Sequence, residues 1–359
     1  MGVNASVLPL SKIYGTLPRV SIVGVGDEGN DVVSRIFEEG GSGAQCIAVN
    51  TDQEPLEHTY SHEKVLIPSQ PVAETVQRDY AQFREKAARV CVSLITPLLT
   101  GADVAFIIVG MKEHKAAGVA PLVAEVARRS GAVTVGLAIG PFPSERDDRL
   151  IAYHGLAWMR RNCHTVAIAD VSRTVQSPGY PPNLFSDSSN RIVIDMVSGL
   201  AETLACPSAV NIDLAAFREL MLYGGIAHVG IGHSSSALRL EEATIAALRA
   251  PLLYDDMART RGVLLNVCGD TSLTVEEAEM ATELVVERIG WNAPVVMGAR
   301  IDESFSDGLQ VSILPTGGAY PYIPGGYRRL PLEMYEMEPD GEEEGSIDLE
   351  LDLDQLEEA

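Results

Sequence analysis

The sequence predicts a two-domain α/β protein: a parallel-sheet domain first, then a long central helix, a smaller α/β or α+β domain, and a flexible acidic tail. Three observations predict it. A chain of 359 residues with 46% hydrophobic content is long enough to bury two cores of ordinary domain size. Five short β-branched runs alternate with helical patterns in the first half. One helical stripe of four-residue period then stands between that half and the next.

Residues 1–18 hold two prolines and two glycines without sustained periodicity, and are expected to form a loose arm. Order is expected from Val20, with strands over 20–25, 46–49, 104–109, 133–139 and 166–169. Apolar runs of this kind, bounded by glycine and polar turns, belong to a sheet covered on both faces. The first domain is therefore expected over 19–189. The central helix is expected over 190–206, with Ile192, Met196, Leu200 and Leu204 repeating every four residues and Val193 and Val197 beside them. Ser188 or Ser189 is placed to cap it, and Pro207 to end it. The second domain, 207–317, is expected to contain helices over 214–223, around 236–249 and over 275–289, with strands over 262–267, 295–301 and 309–314. Residues 318–359 turn to Gly, Pro and Tyr and then to acid, the composition of a linker.

The formal net charge of −23 argues against nucleic acid as a partner, since phosphate binding needs a concentrated basic surface. Thirteen of the 50 acidic residues lie between Glu333 and Ala359, where no basic residue occurs, so the body is only moderately acidic. The five cysteines are far apart and form no C-x-x-C pair, so neither a disulfide framework nor a metal site is expected. There is no apolar stretch of membrane-spanning length and no basic-then-apolar signal segment, which places the protein in the cytoplasm as an expectation.

Gly24, Gly26 and Gly29 form G-x-G-x-x-G between the first strand and a helix expected to begin near Asn30. Such a loop brings backbone N–H groups and a helix N-terminus to a phosphate. Asp52, after the second strand, suits a ribose hydroxyl, so a dinucleotide-binding oxidoreductase is one reading. Asp27 and Glu28 inside the loop oppose it, because two carboxylates repel a pyrophosphate. A tight strand-to-helix turn accounts for the same glycines.

The wider pattern resembles the FtsZ/tubulin superfamily. Residues 21–33 (SIVGVGDEGNDVV) resemble that family's first phosphate loop, 47–52 (IAVNTD) its second, and 136–149 (GLAIGPFPSERDDR) its P-F-x-x-E-x-x-x-R segment. In the second half, 211–217 (NIDLAAF), 230–232, 251–253 (PLL), 262–269 (GVLLNVCG), 298–302 (GARID) and Gly317 follow in the family's order. The resemblance implies a nucleotide-binding domain, a long central helix, and a second domain whose loop completes the catalytic site of the next subunit in a filament.

Several positions depart from what the resemblance implies. The family's G-G-G-T-G-T-G cradle aligns here with Lys112, Glu113, His114, Lys115, Ala116, Ala117 and Gly118 after Gly110 and Met111. Bulky charged side chains do not reproduce a backbone nest, and Lys112 and Lys115 are able to meet a phosphate only as point charges. The third loop, near 68–74, has no glycine. The family's asparagine after the sixth strand aligns with Asp170, and its guanine-reading acid with Arg191, which only donates hydrogen bonds. Of the hydrolytic N-x-D-x-x-D, Asn211 and Asp213 remain while the last acid is Ala216. Capping of the following helix is the alternative role for Asn211 and Asp213. Gly24, Gly26, Gly29, Asn30, Asn50, Asp52, Glu145 and Arg149 survive as remnants of the binding site, suited to hold a sugar or a phosphate weakly, or kept because the turns and strand ends need them.

The substitutions look paired by charge, Asp27 and Glu28 against Lys112 and Lys115, and Asp170 against Arg191. Either internal ion pairs fill the pocket or these charges lie solvated on an open cleft, and no cofactor is expected, or GTP with Mg2+ if any. The expected function is that of an FtsZ-like cytoskeletal or division-associated protein, unable to hydrolyse GTP, that assembles with itself or an FtsZ paralogue; the enzyme alternative is a GTPase with an altered pocket. In the tail, Ile347, Leu349, Leu351 and Leu353 alternate with acids before Leu356, a pattern suited to docking on the sheet edge of a division or membrane-anchor protein.

Overall fold

The computed structural model describes residues 17–67, 76–140, 146–169, 191–250, 260–289, 293–303, 305 and 308–318. Its first sheet has seven parallel strands: β1 (Val20–Val25), β2 (Gln45–Asn50), β3 (Glu63–Leu66), β4 (Val104–Gly110), β5 (Val133–Ile139), β6 (Thr165–Ala169) and β7 (Ile226–His228). The strand order is β3-β2-β1-β4-β5-β6-β7. Helices α1 (Gly26–Glu38), α2 (Gln53–His58), α3 (Val76–Leu99), α4 (His114–Arg129) and α5 (Arg146–Asn162) make the crossovers.

The central strands are apolar throughout because both faces are covered. In β4, Ala105, Ile107 and Val109 point into a core shared with α3, α4 and α5. Val104, Phe106 and Ile108 point the other way, into a core shared with α1, the central helix α6 (Arg191–Ala205) and α7 (Leu214–Leu222). Alternation at period two on a strand buried on both sides explains the near-continuous hydrophobic run.

The second sheet has four strands in the order β10-β9-β11-β8, from β8 (Gly230–Ser234), β9 (Gly262–Gly269), β10 (Val295–Ile301) and β11 (Leu309–Thr316). Strands β9 and β10 are parallel, whereas β11 runs antiparallel to both β9 and β8. Helices α8 (Arg239–Leu248) and α9 (Val275–Ile289) complete a third core. In α9, Thr274 and Glu277 cap each other reciprocally, at 3.0 and 3.1 Å.

Helix α6 buries Ile192, Met196, Leu200 and Leu204 as its period requires, and the same core takes in Leu264 and Leu314 from the second sheet. Thr203 on α6 also donates to Asn266 Oδ1 of β9 at 2.9 Å, both side chains being buried. Three strands were not foreseen: β3, β7 and β8. β7 comes after the central helix in the chain yet pairs with β6 in the first sheet. Ser188, Ser189, residues 1–16 and the tail from 319 onward lie outside the described residues. Among the described residues no helix is long and apolar enough to cross a membrane.

Candidate functional site

The chain runs from β1 through β2 to the β3 edge and from β4 through β5 and β6 in the opposite direction, so the C-terminal ends of the adjacent strands β1 and β4 form a topological switch point. A parallel sheet opens a crevice there, since the loops from adjacent strands go to opposite faces. A cavity of about 340 Å3 occupies this position, walled by Gly26, Asn50, Thr51, Lys112, Glu113 and Lys115 among others.

The glycine loop turns directly into α1, which starts at Gly26 and not near Asn30. Gly26 has φ +79°, a left-handed conformation that a side chain disfavours. Gly29 serves packing: a Cβ there would collide with the carbonyl oxygen of Ile108, so the glycine lets α1 lie against β4. Asn30 is buried and bonds the backbone of Val49 with both ends of its amide, at 3.1 and 3.3 Å. Asn50 donates to Asp27 Oδ1 at 2.8 Å while its own Oδ1 receives the N–H groups of Thr51 and Asp52. These contacts give the surviving asparagines a structural role.

The residue that organises the pocket is Glu113. Its Oε2 accepts the Asp27 N–H and its Oε1 the Glu28 N–H, each at 2.8 Å. Those are first-turn amides of α1, whose own N-cap position is Val25 and supplies no side-chain cap. Burial raises the Glu113 pKa, and the two amide hydrogen bonds oppose that shift. Glu28 lies against Gly110. Burial pushes its pKa to about 7, with Lys112 pulling it down and Glu113 and Asp31 pushing it up.

The expected pairing of Asp27 and Glu28 with Lys112 and Lys115 is realised differently. Lys115 pairs with Asp52 at 3.2 Å, Asp27 is held by Asn50, and Lys112 acts on Glu28 electrostatically. The pairing follows the path of the backbone, which composition does not reveal. The sequence shows Glu113 only as a member of the substituted loop; a carboxylate one residue ahead of a helix is the signal it offers.

Arg191, at the start of α6, bonds Glu39 and Asp195, both at 2.6 Å. Asp170, the partner expected for it, and Glu145 lie outside the described residues, and of Arg149 only the helical backbone of α5 is described. Asn211 closes the loop after α6: it donates to the carbonyls of Thr203 and Cys206 at 3.0 and 2.8 Å and accepts the Ser208 N–H at 3.1 Å. Asp213 caps α7 by accepting the Ala216 N–H at 2.8 Å. Neither lines the cavity at the switch point. Among the described residues no group of three or more His, Cys, Asp or Glu is arranged to hold a metal ion.

Two family models match this chain. The GTPase domain of the tubulin/FtsZ family matches residues 19–176, and the C-terminal domain of the FtsZ family matches 225–318. Cell division protein FtsZ 2 of Methanocaldococcus jannaschii is 34% identical over 311 residues, covering 86% of this chain and 82% of that protein. A solved structure titled FtsZ dimer, empty, from M. jannaschii, superposes with a TM-score of 0.76 at 31% identity, over 86% of this chain and 90% of that one. A GTPgS-bound protofilament structure of CetZ2 from Haloferax volcanii shares the fold, with a TM-score of 0.61 at 20% identity over 83% of this chain and 93% of that one. With a seven-stranded parallel sheet, a central helix and a mixed second sheet all matched at that coverage, the chain belongs to the FtsZ/tubulin family.

Proposed function

We propose that this protein is a cytoplasmic FtsZ-type assembly subunit that serves cell division by associating with copies of itself or with an active FtsZ paralogue, and that it does not hydrolyse GTP. One observation carries the reading: the first-turn amides of α1, which a phosphate would need, are bonded to the Glu113 carboxylate. GTP with magnesium is the group the family implies, and the residues present do not fit its phosphates. Asp27, Asp52 and Glu113 line the position with carboxylates, and Lys115 is engaged by Asp52. Like charges so close oppose a polyanion. The relatives support the assembly half, since the similar M. jannaschii structure is titled a dimer. The tail segment from Ile347 to Leu356 is a second contact in this proposal, toward a division or membrane-anchor partner.

The test is titration of the full-length protein with GTP and GDP plus magnesium, beside a released-phosphate assay and sedimentation of assemblies. No heat of binding at about 100 µM nucleotide, which half-saturates a site of that Kd, together with nucleotide-independent assembly, is the expected result. Specific GTP binding with phosphate release would favour the altered-pocket GTPase.

A further inference from the structure

We infer that an arginine face at the N-terminal edge of the first sheet is the docking site for this chain's own acidic segment, residues 333–359, held there as an intramolecular electrostatic contact.

Helices α4 and α5 run back from the cavity end of the sheet and finish at its other edge, where β5 and β6 begin. Each ends on a pair of exposed arginines, Arg128 and Arg129 in α4, Arg160 and Arg161 in α5. A basic last turn complements a helix dipole, which accounts for each pair taken separately. It does not account for their convergence. The Arg128 guanidinium donates to the Arg161 carbonyl at 2.8 Å, and Arg218, exposed in the middle of α7, donates to the Gly131 carbonyl at 3.4 Å. Carbonyl oxygens are neutral, so these bonds leave the charge of the two cations in place. His164, just before β6, lies in the field of both: its pKa is lowered by burial first and then by Arg128 and Arg218. Glu125 answers one member of the group, pairing with Arg129 at 3.2 Å. Five arginines gathered at one edge, in a chain with 27 basic residues and a net charge of −23, make a local positive patch suited to an acidic partner.

The tail fits this face in charge and in position. Thirteen acidic residues and no basic one lie between Glu333 and Ala359. The described chain ends at Gly318, which bridges Ile226, while the Gly317 N–H donates to the Gly224 carbonyl at 3.1 Å. Gly224 in turn adjoins His164, since a Cβ there would stand 3.3 Å from the His164 carbonyl oxygen. The chain thus leaves the second sheet beside the arginines and at the far end of the strands from the carboxylate-lined cavity, which would repel it. Glu333 follows Gly318 by about 15 residues, a reach of up to ~50 Å at ~3.3 Å per residue. Exposed ion pairs are individually weak, but a tethered segment acts at an effective concentration on the order of millimolar and can form several together.

The test uses the full-length chain carrying Arg160→Lys, which keeps the charge and adds an amine that a carbodiimide couples to a nearby carboxylate. Isotope-labelled and unlabelled protein are mixed in equal amounts, coupled at low salt, digested and read by mass spectrometry. The expected product is an amide between position 160 and a carboxylate of residues 333–358, formed within one chain. It is expected to be at least about tenfold scarcer in ~0.5 M salt, where screening confines exposed charges to a few Å. Adding Arg128→Glu and Arg218→Glu is expected to reduce it by about tenfold as well, through like-charge repulsion. Tail carboxylates that couple to Lys64, Lys112 or Lys115 as readily as to position 160 would overturn the inference. So would products joining labelled to unlabelled chains, which would give the face to the tail of a neighbouring copy. Salt-sensitive binding of wild type to vesicles rich in anionic lipid, with no coupling at position 160 in the variant, would give it to a membrane surface. Should the added charge reversals prevent folding, the salt dependence and the label pairing of Arg160→Lys alone decide.

Discussion

Glu28 carries much of the electrostatic strain of the pocket, and that strain has a pH signature. Its folded-state pKa of about 7 lies above the ordinary value of 4.5, with burial the largest cause. Between those values the native state binds more protons than the unfolded chain, so stability falls as pH rises. The contribution of protonated Glu28 is fully present below about pH 4.5 and is lost through about pH 7. Glu28→Gln is therefore expected to raise stability at pH 8 by about 1–2 kcal/mol after allowance for partial solvent screening, with little gain at pH 4.5. Denaturant melts at the two pH values check it, and equal effects at both would remove burial as the cause. Lys115 and Asp52 present the opposite case. Both are substantially exposed, so Lys115→Ala is expected to cost no more than about 1 kcal/mol. At this scale the sequence showed which charges had entered the pocket, because residue types are read directly. It did not show that Glu113 reaches α1 or that Arg191 turns to Glu39, since those contacts join segments far apart in the chain.

The elements that were legible are those whose environment imposes a long pattern. β1, β4 and β5 are buried on both faces and α6 on most of its circumference, so each needs many consecutive or evenly spaced apolar residues. β3 is a four-residue edge strand with exposed Glu63 and Lys64, and β7 has three residues between β6 and Gly318; neither is long enough to show a period. β8 is masked by glycine: a Cβ on Gly232 would collide with the Ala243 carbonyl oxygen of α8. Helix ends behave similarly, since α1 borrows its cap from Glu113 while α7 carries its own in Asp213. Asp213→Ala is accordingly expected to destabilise by about 1 kcal/mol, the usual cost of a lost N-cap. Urea melts measure it; an unchanged midpoint would return Asp213 to the list of residues free for a role at a subunit contact.

The two sheets are joined by α6, which belongs to neither alone. Its apolar face shares one core with β1 and β4 and with Leu264 and Leu314 of the second sheet. Polar contacts add to this: Thr203 bonds Asn266, and Arg300 of β10 pairs with Glu202 of α6 and with Asp302. A helix that cannot lose one neighbour without exposing the face it presents to the other couples their unfolding. The protein is thus expected to melt in one transition with equal calorimetric and van't Hoff enthalpies. Phe106→Ala, deep in the first domain, is expected to lower stability by about 3–5 kcal/mol, and Asn266→Ala, on the second sheet, by about 1 kcal/mol through loss of its bond to Thr203, whose hydroxyl keeps the Gly199 carbonyl as an acceptor. Both variants should move the same single peak in scanning calorimetry. Two resolved peaks, with Phe106→Ala moving one and Asn266→Ala the other, would mean that the sheets unfold separately and that α6 stays with only one of them.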